Sequence, residues 1–190
     1  MARTPLKDRP RAYIDTETTG LDPRVHEVIE VAVILERPDG TLEEWCTKVK
    51  PTRLETADAY ALRVNGYEAH PELWADAPTF PEIVNLLAAK LNDAILVGHN
   101  VGFDLDFLQE GIIRAGSKVK LPYHKVDTVT LAYTDLVPNG LTALSLDTIR
   151  EFLGWSKDGA HTALVDARDC RRLFRQITGR DEVQVTQPPA

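Results

Sequence analysis

The chain has 190 residues, of which 43% are hydrophobic and 27% are charged, and its formal net charge is −7. This length and apolar content predict one domain with a core, burying roughly 70% of the surface of the unfolded chain. Proteins that coat nucleic acid without sequence preference usually carry a strongly basic face. The acidic balance therefore argues against that class, but it leaves open an enzyme that holds one end of a strand through metal ions.

Targeting and membrane segments are not predicted. No apolar run approaches the ~20 residues that a membrane span requires, and no apolar segment follows the charged N-terminus as in a secretory signal. The two cysteines, Cys46 and Cys170, form no C-x-x-C motif. We expect a cytoplasmic protein with a folded domain at 11–179 and tails at 1–10 and 180–190.

The first elements along the chain are three predicted strands joined by short links, at 11–17, 25–37 and 41–50. Helical character follows at 54–67, and a helix is predicted at 79–93 with Ile83, Leu86, Leu87 and Leu91 on its apolar face. The remaining elements are a strand at 94–100, a helix at 102–116, a strand and helix within 124–136, and helices at 144–155 and 162–179. A meander followed by alternating strand and helix predicts an α/β fold, with a mixed sheet flanked by helices.

Acidic residues recur at three points in this pattern. In "YIDTETTGLD", Asp15 and Glu17 are two apart on a strand and therefore point to the same side. In "GHNVGFDLDFL", Asp104 follows a buried strand at the start of a helix. In "HTALVDARD", His161 precedes a helix and Asp166 lies about one turn into it. A solvated strand end is the alternative for the first pair taken alone.

Carboxylates from these three segments can converge at one end of the sheet, where they would repel one another strongly. Hard divalent cations with oxygen ligands remove that repulsion. Two such ions ~4 Å apart are a common solution for phosphoryl hydrolysis, and an imidazole such as that of His161 supplies a base near neutral pH. The sequence thus predicts a site for two divalent cations, Mg²⁺ or Mn²⁺.

The same three segments carry a family resemblance. The sequence resembles the DEDDh exonucleases, whose motifs D-x-E, H-N-x-x-F-D-x-x-F-L and H-x-A-x-x-D match "DTETTG", "HNVGFDLDFL" and "HTALVDARD" in order. The likeness extends from about Tyr13 to Gly179. It implies a ribonuclease H-like fold, with a central five-stranded mixed sheet flanked by helices, and stepwise 3′→5′ hydrolysis that releases nucleoside 5′-monophosphates.

The resemblance also implies roles for individual residues. Asp15 would bridge both metal ions, Glu17 and Asp166 would complete the site of the ion that holds the attacking water, and Asp104 would help to hold the second ion. His161 would be the general base. Substrate contacts are expected from the segment after the first motif and from the second motif, at Thr18, Leu21, Asn100 and Phe103, with ordinary turn packing as the alternative.

Neighbouring polar residues are assigned mainly to structure. Asp106 is two residues from Asp104, so the two cannot share a helix face, and Asp106 is predicted to be solvated. Asp169 remains a possible support for Asp166. Asp127 is either such a support or a helix N-cap, and His99 is expected to be structural.

The other three histidines, His26, His70 and His124, are predicted at the surface. Lys118, Lys120 and Lys125 form either a path for a phosphate backbone or a solvated loop.

The prediction from sequence is a 3′→5′ exonuclease acting on single-stranded or frayed 3′ ends, with DNA favoured. The alternatives are an RNA-trimming exoribonuclease and a catalytically idle nucleic-acid-binding module on the same fold. The presence of all five signature residues argues against the idle module. A DNA polymerase partner and the oligomeric state are left open.

Overall fold

The computed structural model describes residues 4–179, and the predicted tail at 180–190 lies outside them. Within this range five strands form one sheet: β1 (Arg11–Thr18), β2 (Val28–Glu36), β3 (Leu42–Lys48), β4 (Ile95–Gly98) and β5 (Lys125–Asp127). The α-helices are α1 (Ala59–Val64), α2 (Phe80–Leu91), α3 (Val101–Arg114), α4 (Thr128–Asp135), α5 (Leu146–Leu153) and α6 (Ala163–Ile177).

The strand order is β3-β2-β1-β4-β5, so β1 is the central strand. It pairs antiparallel with β2, placing Asp15 beside Ala32, and parallel with β4. β4 in turn pairs parallel with β5, with Gly98 beside Asp127. The five-stranded mixed sheet predicted from the sequence is therefore confirmed. Because β1, β4 and β5 run the same way, their carboxyl ends meet at one edge of the sheet.

Both faces of the sheet are covered, which explains why every residue of β2 is buried. Ile14 belongs to the core on the face covered by α2 and α3, whereas Tyr13 belongs to the core on the face covered by α6. Alternation along β1 therefore directs Asp15 and Glu17 towards the α6 face and Thr16 towards the α3 face. The site lies where these two faces meet the end of the central strand.

Two details of the predicted elements were wrong. Leu86 is 48% exposed and Val84 is buried in its place, because α2 turns a face with the spacing Ile83, Val84 and Leu87 to the sheet. The second strand begins at Val28 rather than at residue 25. The helical character predicted for 54–67 is confirmed, as a 3₁₀ turn at Leu54–Thr56 followed by the short α1. No helix among residues 4–179 is long and apolar enough to cross a bilayer.

Candidate active site

A group of three carboxylates lies at the end of the central strand. Asp15, Glu17 and Asp166 each offer one oxygen, and these oxygens all lie within 4.8 Å of one another. Two of the residues come from alternate positions on β1 and the third from the first turn of α6, which packs across the same face. Three hard oxygen ligands at this spacing suit a divalent cation such as Mg²⁺ or Mn²⁺.

Asp104 approaches this group from the other face of the sheet. It sits in the first turn of α3, is 3% exposed, and its Oδ1 accepts a hydrogen bond from Thr16 Oγ1 at 2.8 Å. Thr16 separates Asp15 from Glu17 on β1. One strand therefore supplies two of the four carboxylates and also the hydroxyl that orients a third, that of Asp104. Asp106, two residues further along α3, is exposed.

The electrostatics of the four carboxylates reflect burial and mutual repulsion. Burial, the charge of Asp166 and the charges of other nearby carboxylates raise the pKa of Glu17 to about 8. Burial also raises the pKa of Asp104 to about 7, against the opposing hydrogen bond from Thr16. The pKa of Asp15 is raised well above its ordinary value by burial and by the charges of Asp104 and Asp166. Such a group is stabilised either by protons or by added cations.

A buried arginine supplies one positive charge at this site. Arg150, on α5, is fully buried and contacts three aspartates, with distances of 2.9 Å to Asp147 and 2.7 Å to each of Asp166 and Asp169. Burial alone would lower the pKa of Arg150, but the hydrogen bond to Asp169 and the charge of Asp166 more than reverse this, so the pKa is raised. Asp169 thus supports Asp166 through the guanidinium that they share.

His161 lies at the rim of the group. Its backbone is in the left-handed region, with φ of 63°, and its backbone N–H donates to Asp166 Oδ1 at 3.2 Å. The side chain is 45% exposed, and Nε2 lies 3.4 Å from Asp147 Oδ2. A non-glycine residue held at positive φ is strained, and such strain is concentrated at functional sites. The imidazole therefore faces solvent beside the carboxylates and has a carboxylate of its own to orient it.

A cleft of about 250 Å³ opens beside Glu17. Three of the predicted substrate residues, Thr18, Leu21 and Phe103, line it, and Tyr60 and Asn65 from the α1 region form the opposite wall. Leu21 is 81% exposed, although it is apolar, and Tyr60 is 70% exposed. Asn65 Nδ2 donates to the carbonyl of Thr18 at 3.0 Å and so ties the two walls together. An apolar residue and an aromatic ring flanking a cleft next to carboxylates suit a terminal nucleotide, whose base presents flat apolar faces.

The fourth predicted substrate residue, Asn100, lies apart from this cleft. It is exposed, adopts φ of 64° at the start of α3, and donates its backbone N–H to Asp127 Oδ1 at 3.0 Å. Asp127 also accepts from Val129 N as the N-cap of α4, so the N-cap alternative holds for it. His99 is held between Thr128 Oγ1 and the carbonyl of Leu144, and burial lowers the pKa of this structural histidine.

His26 differs from its prediction as a surface residue. Its half-buried ring lies against Gly20, where a Cβ would come within 2.4 Å of the imidazole. Its Nδ1 accepts from the backbone N–H of Asp22 at 3.0 Å. The ring therefore supports the loop that carries Leu21, and only glycine at position 20 permits this approach. His70 is exposed and His124 half-buried.

Lys118 and Lys120 lie in the loop between α3 and β5, and Lys125 is the first residue of β5. Lys118, Lys120 and Lys125 are exposed, and within residues 4–179 none of them forms an ion pair. Tyr123, in the same loop, is 90% exposed. Most other cations of the described chain are paired with carboxylates, so this loop concentrates uncompensated positive charge on an otherwise acidic protein.

Three contributors to the site were not predicted from the sequence: Arg150, Asp147 and the α1 wall with Tyr60. One signal was available for the first two. Asp147 and Arg150 are three apart on α5, as Asp166 and Asp169 are on α6, and residues with this spacing share a helix face. Tyr60 reaches the cleft because the segment between β3 and α1 places α1 there, and the sequence carries no pattern that predicts the path of this segment.

A mixed sheet with helices on both faces and a carboxylate group at the end of its central strand defines a nuclease-like α/β domain. Comparison with known proteins identifies its kind. The RNase_T exonuclease family model matches residues 13–174. The chain belongs to this exonuclease family, which agrees with the resemblance carried by the three motifs.

Several curated relatives support the assignment. The chain is 33% identical over 162 residues to the PolC-type DNA polymerase III of Thermotoga maritima, covering 85% of this chain but only 11% of that protein. It is 28% identical to DNA polymerase III subunit epsilon of Treponema pallidum, covering 84% of this chain and 72% of that one. It is 30% identical to ribonuclease T of Wigglesworthia glossinidia brevipalpis, covering 92% and 89% of the two chains.

Solved structures extend the likeness to the fold. A complex of Escherichia coli exonuclease I with single-stranded DNA superposes with a TM-score of 0.76 at 17% identity, covering 92% of this chain and 41% of that one. At this level of identity the match concerns the fold, and it supports the ribonuclease H-like architecture.

Proposed function

We propose that the protein is a metal-dependent 3′→5′ exonuclease that shortens single-stranded or frayed DNA ends and releases nucleoside 5′-monophosphates. The observation that carries the proposal is the group of three carboxylates within 4.8 Å of one another, beside a cleft walled by Leu21, Tyr60 and Phe103. A cleft of nucleotide type next to a cation site suits the removal of one terminal nucleotide at a time.

Four side chains would hold two divalent cations. Asp15, Glu17 and Asp166 have the hard oxygen donors and the mutual proximity for one ion, and Asp104 with Asp15 would hold the second. When bound, such a pair of ions lowers the pKa of water and stabilises charge on a reacting phosphate. The raised pKa values of Glu17 and Asp104 fit residues whose charge is meant to be compensated by a ligand.

The chain itself would bind the nucleotide and move the proton. Leu21 would wedge against the last base, with Tyr60 and Phe103 limiting the cleft, while Thr18 helps to fix the loop through its hydrogen bond to the carbonyl of Gly20. The imidazole of His161 would accept a proton from the attacking water and release it to solvent, to which it is 45% exposed.

The lysine loop of residues 118–125 would meet the strand only well upstream of the terminal nucleotide, because the loop precedes β5 and lies at the amino edge of the sheet, away from the carboxylates. Three unpaired lysines and an exposed tyrosine combine phosphate attraction with a stacking surface, which is the usual pattern for single-stranded nucleic acid. We include a phosphate path over these lysines in the proposal, with a solvated loop as the alternative that the salt dependence of binding decides.

DNA is favoured as substrate because two of the relatives are DNA polymerase III proteins. On the same ground a DNA polymerase is a proposed partner. An exoribonuclease is the second candidate, because the likeness to ribonuclease T spans 92% of this chain.

The deciding experiment compares three labelled substrates in parallel: single-stranded DNA, duplex DNA with a mismatched 3′ end, and short RNA. Each is incubated with Mg²⁺ or Mn²⁺, and products are resolved by length and by terminal phosphate. We expect stepwise loss from the 3′ end of the DNA substrates, release of 5′-monophosphates, and strong inhibition by a 3′-phosphate.

Two controls make the assay specific to this site. Asp15→Asn should abolish hydrolysis, and Asp106→Asn on the exposed face of α3 should not. Cleavage of a closed circular single strand would demonstrate an endonuclease and refute the proposal. Faster trimming of RNA than of either DNA substrate would select the second candidate.

A further inference from the structure

Arg150 connects two parts of the site that are distant along the chain. It is fully buried on α5, and each of its three guanidinium nitrogens meets a different carboxylate. Nε donates to Asp169 Oδ2, Nη1 to Asp147 Oδ1 and Nη2 to Asp166 Oδ1, at 2.7, 2.9 and 2.7 Å. A planar fork with fixed donor directions imposes an orientation on each of its acceptors.

The division of oxygens within two of these carboxylates is informative. Asp166 Oδ1 accepts from both Arg150 Nη2 and the backbone N–H of His161, so both donors converge on the same oxygen. No donor to Asp166 Oδ2 is present among residues 4–179. Asp147 is divided in the same way, with Oδ1 on Arg150 and Oδ2 at 3.4 Å from His161 Nε2.

We propose that Arg150 is a positioning residue that prepares both the cation ligand and the base. It fixes Asp166 with Oδ2 left for the ion, and it fixes Asp147 so that the second oxygen orients the imidazole of His161. The inference rests on the proposed function, since it assigns a task to a residue that touches neither substrate nor the reacting water.

A purely structural role would look different, and the chain contains an example. Glu36, which is 2% exposed, is held by Arg11, Arg171 and Arg175 between β1, β2 and α6. There, several arginines surround one carboxylate that belongs to no site. At Arg150 one arginine is divided among three carboxylates, of which one belongs to the cation group and another faces the candidate base. Arg171 therefore provides a matched control on α6.

The test uses the full-length protein and three variants, Arg150→Met, Arg150→Lys and Arg171→Met. Thermal unfolding establishes that each variant is folded. The kcat and KM are measured on single-stranded DNA at saturating Mn²⁺, and Mn²⁺ affinity is measured by calorimetry without substrate. Lysine keeps the charge but not the fork, so it separates charge from orientation.

In Arg150→Met we expect kcat to fall by about 10-fold or more, the scale on which residues behind metal ligands act. KM should change little, because Arg150 is buried away from the cleft. In Arg150→Lys, where the positive charge that opposes the ion is kept, Mn²⁺ should bind more weakly than to the parent protein, because the fork that orients Asp166 is lost. Arg150→Lys should not restore kcat, and Arg171→Met should lower the unfolding temperature while leaving kcat unchanged.

Three results would overturn the inference: a kcat loss below about 5-fold in Arg150→Met, well under the range of such effects; restoration of kcat by lysine; or the same loss in Arg171→Met. If both Arg150 variants fail to fold, Asp147→Asn decides: its one oxygen can still accept from Arg150, but an amide NH2 replaces the oxygen facing His161, so kcat should fall with Mn²⁺ affinity intact. Parent protein without Mn²⁺-dependent hydrolysis would refute the proposed function itself.

Discussion

The free energy of unfolding of the cation-free protein should fall as the pH rises. Burial and neighbouring carboxylates raise the pKa of Glu17 from its ordinary value of 4.5 to about 8. The folded state therefore holds a proton that the unfolded chain releases near pH 4.5. The stabilisation is complete below that pH and is lost as the pH rises through about 8, the folded-state pKa.

One proton held in this way changes the unfolding free energy by about 1.4 kcal/mol per pH unit across the window between the two pKa values. For a domain of this size the slope corresponds to roughly 3–6 °C in melting temperature per pH unit. His99 opposes the trend, because burial lowers its pKa and so favours folding as the pH rises through the ordinary histidine range. The contribution of His99 cancels when the pH dependence of the unfolding free energy is compared between the parent and Glu17→Gln, since His99 is present in both.

The assay is thermal unfolding in EDTA from about pH 5 to pH 8, the window set by the raised pKa of Glu17. We expect the parent to lose stability with rising pH more steeply than Glu17→Gln, while Glu68→Gln, at an exposed position, follows the parent. Added Mg²⁺ or Mn²⁺ should stabilise the parent most at the high end, where the ligands are free of protons. Identical slopes in parent and Glu17→Gln would refute the assigned electrostatics of the carboxylate group.

Three further outcomes are expected. Mg²⁺ or Mn²⁺ should switch on hydrolysis and EDTA should abolish it, so full activity in excess chelator would contradict a metal-dependent site. Asp104→Ala should lower the rate by ~10²-fold or more, whereas the exposed Asp106→Ala should change it little; equal losses in two folded variants would mean that the faces of α3 are misassigned. His161→Ala should lose ~10²–10⁴-fold in rate while keeping Mn²⁺ affinity, with the exposed His70→Ala as the control; a rate near that of the parent would mean that another group is the base.

The parts of this site that were predictable from the sequence depend on local geometry. The spacing of Asp15 and Glu17 on a strand forces them to one face, and the spacing of Asp104 and Asp106 on a helix forces them apart. The meander and the later strand–helix alternation likewise predicted the mixed sheet. These inferences succeeded because a short stretch of backbone determines them.

The missed features depend on contacts between distant segments. Arg150 meets Asp166 and Asp169 only because α5 packs beside α6, and His26 is half-buried only because its ring lies against Gly20. The burial of Val84 in place of Leu86 follows from the small rotation of α2 against the sheet, which periodicity alone does not fix. In each case the deciding quantity is the tertiary position of an element rather than its type.

The last prediction concerns the lysine loop and how a protein with a net negative charge attracts a negatively charged nucleic acid. The four carboxylates at the site repel phosphate, and Lys118, Lys120 and Lys125 are one source of attraction away from the cations, because they are exposed and form no ion pair within residues 4–179. If each lysine meets one phosphate of a single strand, replacing all three by glutamine should lower the salt dependence of log KM by about 2 units of slope, at ~0.7 per contact. KM for long single-stranded DNA should rise at low salt, while KM for dinucleotides, which end within the cleft, should stay the same. Equal changes for long and short substrates would place the effect in the active site, and no change in slope would return these lysines to the role of a solvated loop.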